Sequence, residues 1–423
     1  MSAGAVFDAE ARALHLLPGG RAGGEGTVSR IPGDPHRCAK IYHPDQLTRE
    51  RAEKIRAMVE NPPDDPTFEA RGHRSLAWPE VTLYHDARRT QFAGFLMPLL
   101  DTRVFQASHT YYDPEDRLRR FGGGFTFRHL ITVASNLASA VTAVHERGHR
   151  VGDLRETNLF VSPTALVTVL DCDSMQVRDG RSGEIFFARV GTGEYLPPEL
   201  QGADFGRVDH DRTGSDRFAL AVLVFKLLLN GVHPFQSRGP AVDDAPSTEA
   251  KIKKGLFPYA AGVRGATPPG YALPFGLLAP RLQELCLRCF VGGRGSAAAR
   301  PAPGDWLEGL EEARSALVQC PRNPNHAFSN HLSACPWCHL AARTGKDHFP
   351  PPVPERSSAS DPIAQRLACL QAFIEVALAD GVIEPDERRF LERKAAELGI
   401  AAGELDRLIR QVARSGPRVP RRA

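Results

Sequence analysis

Two carboxylates and one amide follow a long apolar run at fixed spacing, and no other stretch constrains the fold of this chain as strongly. Residues 145–175 read HERGHRVGDLRETNLFVSPTALVTVLDCDSM, with Asp153, Asn158 and Asp171 beside the apolar segments LFV and TVL. The pattern predicts a loop, a strand, a turn and a second strand. Mg²⁺ prefers hard oxygen ligands together with substrate phosphates, and a further carboxylate can accept a hydroxyl proton. The stretch therefore predicts a magnesium–phosphate site, although Asp and Asn are also common turn residues.

A second candidate site lies near the N-terminus, where a glycine cluster precedes a lysine in a predicted strand. Residues 13–42 alternate apolar and polar segments around these glycines, and Lys40 lies in the segment CAKIY. Glycine lets backbone N–H groups approach phosphate oxygens without a Cβ in the way. A fixed ammonium can meet the same phosphates. Glycine pairs alone are usually plain turns, so the combination with Lys40 is the more specific signal.

The two candidate sites together resemble the catalytic machinery of protein kinases. The order D-L-x-x-x-N, then a strand, then D-x-x is similar to the kinase catalytic and metal-binding loops. The resemblance implies that Asp153 orients or deprotonates a substrate hydroxyl, that Asn158 and Asp171 hold Mg²⁺, and that Lys40 positions the phosphates of ATP. The loop that covers these phosphates would consist of Gly23, Gly24, Gly26 and Val28.

The resemblance also implies a helix and an adenine-binding segment. The helical run PDQLTRERAEKIRAMVENPP, residues 44–63, stands where kinases carry a helix whose glutamate pairs with the strand lysine. Glu50 and Glu53 are the two candidates, and Glu50 is preferred. LAWPEVTLYHDARRTQFAGFLMPLL predicts two strands and a connection. By position, the adenine-binding segment would be residues 97–100, where the backbone at Met97 and Leu99 would bind adenine.

The catalytic and metal-binding loops depart from the usual kinase pattern at three places. Val151-Gly152-Asp153 replaces His-Arg-Asp, so the arginine that grips a phosphorylated activation segment is missing. We therefore expect activity that does not need this phosphorylation. Arg155 stands where Ser/Thr kinases carry lysine and would face the γ-phosphate. Asp173 replaces the glycine of Asp-Phe-Gly and is interpreted as a supporting partner of the site.

Later landmarks follow in kinase order. Pro198-Glu199 in GTGEYLPPELQG matches the end of an activation segment, Arg300 would pair with Glu199, and Asp216 would hold the catalytic-loop backbone. Several weak motifs in the right order are stronger than any one of them. The predicted fold is α+β, with a two-lobed kinase-like domain over residues 10–315. Its N-lobe covers about 10–100 and its C-lobe about 101–315.

A cysteine-rich segment over residues 316–345 predicts a zinc ribbon. Cys320, Cys335 and Cys338 supply three thiolates, and His326 is the expected fourth ligand. Zn²⁺ takes four tetrahedral S/N ligands in closed structural sites. His331 and His339 are the rival ligands. A redox CxxC would follow a strand in a βαβ unit, which the sequence lacks.

The C-terminal part predicts a linker and a helical module. Residues 346–362 are rich in proline and serine, which is typical of an extended spacer. Residues 363–415 predict helices with apolar stripes. The turn ADGVIEPDE between them resembles that of TerB-like domains of tellurite resistance proteins. Its Asp380, Glu384 and Glu387 are interpreted as a helix cap rather than a cation site.

Composition narrows the functional classes. The formal net charge of +3 argues against a large nucleic-acid footprint. No apolar run is long enough to span a membrane and no signal peptide is evident, and the cysteine usage suggests the reducing cytoplasm.

The whole chain resembles a bacterial group of divergent kinase-like proteins with a CPWC zinc ribbon and a TerB-like tail. This resemblance implies an ATP- and Mg²⁺-dependent Ser/Thr-type kinase in bacterial signalling, with structural Zn²⁺ and a protein substrate. It also implies partners of the von Willebrand A and PP2C phosphatase classes. The alternatives are a nucleotide-binding pseudokinase scaffold and a zinc-ribbon adaptor that binds nucleic acid.

Overall fold

The computed structural model describes residues 5–351, single positions between 367 and 383, and residues 385–415. It divides the chain into two compact units, residues 1–351 and 352–423. The first unit contains two lobes and the cysteine-rich ribbon, and the second contains the C-terminal helices. Within the described residues, no helix is both long enough and apolar enough to cross a bilayer.

An antiparallel sheet of seven strands builds the N-terminal lobe. The strands are β1 (Val6–Phe7), β2 (Ala13–Leu14), β3 (Arg21–Ala22), β4 (Gly26–Ile31), β5 (Asp34–Tyr42), β6 (Val81–Tyr84) and β7 (Phe92–Pro98). Their order in the sheet is β2-β1-β6-β7-β5-β4-β3. Helix α1 (Arg49–Glu60) packs against β6 and β7 through the fully buried Ile55 and Met58, and α2 (Pro66–Arg71) follows it.

The register of the central strands places Lys40 at the middle of the sheet. Lys40 in β5 is opposite Val28 in β4 and Phe95 in β7. Two glycines permit this close pairing. A Cβ at Gly26 would lie 2.3 Å from the Ile41 carbonyl oxygen, and one at Gly94 would lie 1.9 Å from that of Lys40. Neither position accommodates a side chain unless the strands separate.

Helices dominate the C-terminal lobe, and its core is built on α5 and α6. The helices are α3 (His109–Tyr112), α4 (Pro114–Phe121), α5 (Phe127–Glu146), α6 (Thr213–Leu228), α7 (Thr248–Lys254), α8 (Pro280–Phe290) and α9 (Pro303–Ser315). Helix α6 is apolar on every face from Phe218 to Phe225, and these residues are buried accordingly. Helix α5 packs against both α6 and α9.

Short strands flank the candidate catalytic segment. They are β8 (Gln106–Ala107), β9 (Leu159–Val161), β10 (Val167–Val169), β11 (Val177–Arg178) and β12 (Ile185–Phe186). The first three form a sheet of order β10-β9-β8, and β11 pairs with β12. Asp153 and Asn158 lie on the loop between α5 and β9, and Asp171 follows β10. The predicted succession of loop, strand, turn and strand is present.

The cysteine-rich ribbon packs against the C-terminal lobe. It consists of β13 (Leu317–Gln319), β14 (Ala327–Ser329) and α10 (Pro336–Thr344). Trp337 contacts Phe127 at the start of α5, with ring centroids 5.0 Å apart. Phe349 is 1% exposed. The Arg117 guanidinium lies over its ring, with Cζ 4.5 Å from the ring centre. The start predicted for the linker, residue 346, is therefore wrong, because 346–350 still pack on this lobe.

The second unit contains α11 (Pro385–Glu397) and α12 (Ala402–Ser415). Its apolar core includes Leu370, Ile374, Leu391, Leu405 and Leu408. Periodic leucines of this kind are the amphipathic stripes that the sequence predicts. Residues 352–362 of the predicted linker, Asp380, Glu384 and the Glu387 side chain lie outside the described residues.

Candidate active site

Lys40 lies in a cluster of acidic groups at the inner face of the N-lobe sheet. Its Nζ is 2.5 Å from Asp173 Oδ2, 3.5 Å from Glu25 Oε2 and 3.7 Å from Asp171 Oδ1. Asp173 is almost fully buried and also accepts a hydrogen bond from the Tyr42 hydroxyl at 2.6 Å. Burial alone would lower the Lys40 pKa, but the surrounding carboxylates raise it, so the ammonium stays charged.

Glu50 does not pair with Lys40, so the preferred assignment is wrong, and the alternative Glu53 does not pair with it either. Helix α1 begins at Arg49 with Thr48 as its N-cap, which leaves Glu50 exposed in the first turn. Glu53 binds Arg49 at 2.7 Å on the outer side of the helix. The helical period explains this, because the buried face that contains Met58 also contains residues 51, 54 and 55.

Two basic side chains of α1 occupy the place of the expected glutamate. Arg51 Nη2 binds Glu25 Oε1 at 3.0 Å, and its guanidinium lies 4.6 Å from the centre of the Tyr42 ring. Lys54 lies near Asp173 and Asp171 without an ion pair among the described residues. Burial lowers the pKa of Lys54 to about 8, although Asp173 opposes this shift. The side of α1 that faces the site is therefore positively charged.

The glycine loop forms the predicted tight turn between β3 and β4. Gly23 N–H donates to the Gly26 carbonyl at 2.8 Å. At the tip, a Cβ on Gly24 would meet nothing within 4 Å, so its backbone is open to an approaching group. Glu25 points inward from the same tip to Lys40 and Arg51. The loop is thus tied by its own glutamate to two cations below it.

The first two residues of the predicted adenine-binding segment still belong to β7. Met97 remains inside β7, opposite Cys38 in β5. The Leu99 N–H donates to the His36 carbonyl at 2.7 Å, so sheet pairing already uses it. Strand β7 thus extends through Pro98 because β5 is long enough to pair with it. Binding of adenine by the backbone of Met97 and Leu99 stays a prediction, and in this structure the Leu99 N–H is already paired with His36.

Asp153 lies at the edge of an open groove of about 570 Å³. Its Oδ1 accepts a hydrogen bond from Thr192 Oγ1 at 2.8 Å, and its Oδ2 lies 3.1 Å from Arg155 Nε. Arg155 therefore contacts the carboxylate as well as the groove. Arg189 and Phe205 also line the groove, which gives it both basic and apolar walls.

A chain of contacts joins Asp153 to the Lys40 cluster. Asn158 Nδ2 donates to the Asp153 carbonyl at 3.3 Å, and the Leu170 N–H donates to the Asn158 carbonyl at 2.8 Å. Leu170 directly precedes Asp171, which adopts the left-handed conformation at φ 59°. Burial, and then the neighbouring Asp173, raise the pKa of Asp171. A bound cation would relieve this repulsion between two carboxylates.

Two buried groups fix the loop that carries Asp153. Asp216 accepts backbone N–H bonds from Val151 at 2.6 Å and Gly152 at 2.8 Å, as the sequence implied. Arg212 donates to the Gly152 carbonyl and, at 3.0 Å, to the Val190 carbonyl. Arg212 is fully buried and therefore ties the catalytic loop to the segment before Thr192.

The four predicted zinc ligands lie together, with their donor atoms within 4.8 Å of one another. Cys320 and Cys338 sulfurs are 3.6 Å apart, and His326 Nδ1 lies 3.5 Å from Cys335 Sγ and 3.4 Å from Cys338 Sγ. A tetrahedral zinc site requires sulfur–sulfur separations of about 3.8 Å and sulfur–nitrogen separations of about 3.6 Å. The donor set thus fits Zn²⁺.

The second ring nitrogen of His326 has a carboxylate partner. His326 Nε2 is 2.8 Å from Asp347 Oδ1, which is the arrangement that orients metal-binding histidines. The rival His331 instead contacts Ser329 Oγ and the Gly276 carbonyl, and His339 is exposed. His326 is therefore the histidine that the fold brings to the thiolates.

The sequence of the chain is similar to those of known protein kinases. Protein kinase YegI of Escherichia coli O157:H7 and of E. coli strain K12 are each 32% identical to the chain over 324 residues, which is 75% of this chain and 47% of theirs. The chain is a homologue of these protein kinases. It spans about half the length of these curated relatives. Serine/threonine-protein kinase WNG2 of Toxoplasma gondii is 30% identical over 83 residues, 20% of this chain and 14% of that protein.

The family of tellurite resistance protein TerB matches residues 356–410. The expected TerB domain at the C-terminus is therefore confirmed. The chain thus combines a two-lobed domain with homology to protein kinases, a Cys/His cluster that is compatible with a zinc site, and a TerB domain.

Sequence reasoning missed four charged residues of the kinase-like site. They are Glu25, Arg51, Lys54 and Arg212. Helical periodicity could have identified the two in α1, because both share a face with Met58. The roles of Glu25 and Arg212 depend on contacts with distant segments, which periodicity does not report.

An ion pair between the buried Arg300 and the half-exposed Glu199 supports the segment that contains Pro198-Glu199, as the kinase resemblance implied. Arg300 is 1% exposed and donates to both carboxylate oxygens of Glu199, at 2.6 and 2.7 Å. Arg300 also donates to the Gly214 and Gly293 carbonyls. The pair therefore connects three separate parts of the C-lobe.

We expect Glu199→Gln to destabilise the kinase-like domain by about 1–3 kcal/mol, because it leaves a buried guanidinium without its anion. The effect is below that of a fully buried pair because Glu199 is 43% exposed. Urea unfolding followed by tryptophan fluorescence measures it. Glu194→Gln, an exposed change nearby, is the control and should shift stability by less than about 0.5 kcal/mol. Equal effects of the two changes would contradict this role of the pair.

Proposed function

We propose that this protein is an ATP-dependent Ser/Thr-type protein kinase that uses Mg²⁺. The observation that carries the proposal is the continuous set of contacts from Lys40 through Asp171 and Asn158 to Asp153. These residues come from β5, the end of β10 and the loop after α5, yet these contacts join them, and Asp153 lines an open groove. Phosphoryl transfer depends mainly on positioning and charge neutralisation, and this set offers both.

Each residue has a distinct proposed role. Lys40 holds the ATP phosphates through its ammonium, which the acidic cluster keeps charged. Asp153 orients the acceptor hydroxyl and receives its proton at the edge of the groove, where Thr192 and Arg155 hold the carboxylate. Arg155, in contact with both the groove and Asp153, is placed to meet the transferred phosphoryl group.

Asp171 and Asn158 fit the binding of a magnesium ion. Asp171 offers a carboxylate that is 40% exposed and whose pKa is raised by burial and then by the neighbouring Asp173. Asn158 supplies an amide oxygen from the adjacent loop. When bound, Mg²⁺ neutralises charge on the transferred phosphate. The open Gly24 backbone and the half-buried Val28 would cover the nucleotide from above.

We propose that this activity does not require phosphorylation of the activation segment. The arginine that usually binds such a phosphate is missing before Asp153. Arg212 instead binds the Val190 and Gly152 carbonyls directly. The buried Arg212 guanidinium thus joins the loop before Asp153 to the segment at Val190 through backbone oxygens, a connection that a phosphate would otherwise complete.

The ribbon is proposed to bind structural Zn²⁺ through Cys320, His326, Cys335 and Cys338. A closed Cys₃His site stabilises a small element that has little core of its own. We also propose a protein substrate, a cytoplasmic location and a role in bacterial signalling. Partners of the von Willebrand A and PP2C phosphatase classes remain an expectation from the family resemblance.

Transfer of labelled γ-phosphate tests the kinase proposal. The full chain is incubated with γ-labelled ATP, Mg²⁺ and a mixture of Ser/Thr- and Tyr-containing proteins, followed by phosphoamino acid analysis. We expect label on serine or threonine, in the substrate or in the chain itself. Label on tyrosine alone would contradict the Ser/Thr assignment while leaving a kinase.

A nucleotide-binding pseudokinase is the second candidate, and one observation favours it. Glu25 from the glycine loop points to Lys40 and Arg51, the cations nearest the proposed phosphate position. If this contact persists with ATP bound, the phosphates would be held away from Lys40. ATP binding without transfer would then be the result.

A further inference from the structure

The anionic partner of Lys40 comes from an unexpected segment. Asp173 lies two residues after Asp171, and its Oδ2 is 2.5 Å from Lys40 Nζ, closer than any other carboxylate among the residues that the structure describes. The Asp173 side chain is 3% exposed, and the Tyr42 hydroxyl donates to the same oxygen at 2.6 Å. Tyr42 lies two residues after Lys40 on β5, so both side chains project from the same face of the strand.

The helix that faces this pair is basic instead of acidic. Arg51 of α1 forms an ion pair with Glu25 of the glycine loop, with Nη2 and Oε1 3.0 Å apart. Lys54, one turn later, lies among Asp173, Asp171, Glu25 and Arg51 without forming an ion pair within the described residues. The glutamates of α1 point elsewhere, since Glu50 is exposed and Glu53 binds Arg49. The cations of helix α1 therefore repel the Lys40 ammonium, whereas the Asp173 carboxylate attracts it.

We propose that Asp173 is the positioning residue that holds Lys40 for the ATP phosphates, in the role for which an acidic residue of α1 was expected. This inference rests on the proposed kinase function. Because Asp173 and the metal-binding Asp171 belong to one short segment, the ammonium and the metal ligand are fixed together. Displacement of α1 would leave the Lys40 partner in place.

Asp173→Asn tests the proposal with little change in shape. The amide preserves the side-chain volume and a hydrogen bond to Tyr42, but it removes the anion. We expect kcat/KM for ATP to fall about 10–100-fold, the effect of losing a charge-assisted hydrogen bond. Glu50→Gln and Glu53→Gln are matched controls on α1 and should stay within about threefold of the wild type.

A charge exchange separates positioning from simple structural support. Lys54→Glu in the Asp173→Asn protein supplies a new anion from α1, and we expect it to recover about tenfold of the lost kcat/KM. The same change in the wild-type protein adds a fourth carboxylate to Asp173, Asp171 and Glu25 and should lower kcat/KM. Lys54→Gln in the Asp173→Asn protein removes a cation without adding an anion, and it should recover less than Lys54→Glu does. A purely structural role of Asp173 does not produce this reversal of sign.

Titration calorimetry with ATP and Mg²⁺ keeps failure of this inference distinct from failure of the kinase proposal. If the wild type binds ATP without transfer, the same variants are compared by dissociation constant, with the same order expected. Wild-type affinity and kcat/KM in Asp173→Asn, or a loss in Glu50→Gln as large as in Asp173→Asn, would overturn the role of Asp173. A wild type that binds no ATP would overturn both proposals.

Discussion

Asp153→Asn is expected to lower phosphoryl transfer by about 10²–10⁴-fold, the usual contribution of a positioned general base. The substitution keeps the shape of the side chain, and an amide oxygen can still accept the hydrogen bond from Thr192. It removes the negative charge beside Arg155 and the site that receives the hydroxyl proton. ATP affinity should change little, because Lys40 and Asp171 remain in place.

Initial rates of label transfer and ATP dissociation constants, measured on the same preparations, distinguish a chemical defect from a binding defect. The control is Asp244→Asn, in which the replaced carboxylate is 94% exposed and lies outside the groove. We expect wild-type transfer in this control. A similar loss in both variants, or full activity in Asp153→Asn, would contradict the assigned role.

Removal of zinc is expected to destabilise the first compact unit and not the ribbon alone. Trp337 and Phe349 pack on Phe127 at the start of α5, and Asn325 binds the Gly123 carbonyl at 2.8 Å. These contacts connect the ribbon to the helix that leads to the catalytic loop. A ligand present at 1,000 times its dissociation constant stabilises a fold by about 4 kcal/mol. Chelation should therefore lower the melting temperature and the rate of phosphoryl transfer together.

Two histidines of the ribbon allow a matched test of this site. We expect His326→Ala to lose bound zinc, because Nδ1 of His326 lies against two sulfurs. His339→Ala should retain one zinc per chain, since His339 is exposed. Asp347→Asn should weaken zinc binding about 10–100-fold through the orientation of His326. Metal analysis after dialysis measures all three, and zinc loss in His339→Ala with retention in His326→Ala would contradict the assignment.

Local spacing predicted the parts of the site that lie close together in sequence. Asp153 and Asn158 lie on one loop, and Asp171 follows the second of the two short strands after it. The order of these elements is readable from the apolar segments LFV and TVL. The four zinc ligands were equally predictable from the sequence. Cys335 and Cys338 form a CxxC pair, and Cys320 and His326 form the earlier Cys-x₅-His segment, so two local motifs define the whole set.

The partner of Lys40 was not predictable by the same reasoning. Glu50 was preferred by analogy, yet the helical period turns Arg51 and Lys54 inward and leaves Glu50 exposed. Asp173 is distant from Lys40 in sequence, and only the packing of the two lobes brings them together. The pairing of the Leu99 N–H with the His36 carbonyl was not predictable for a related reason, since the length of β5 decides where β7 ends.

The most direct test of the kinase account measures ATP binding and γ-phosphate transfer in parallel, in the wild type and in Asp171→Asn. The account predicts that the wild type binds Mg²⁺–ATP and transfers its γ-phosphate to a serine or threonine. It also predicts that Asp171→Asn loses transfer and the Mg²⁺-dependent part of the affinity. Tight ATP binding by the wild type without transfer to itself or to any protein supplied, and with the same affinity in Asp171→Asn, would contradict it.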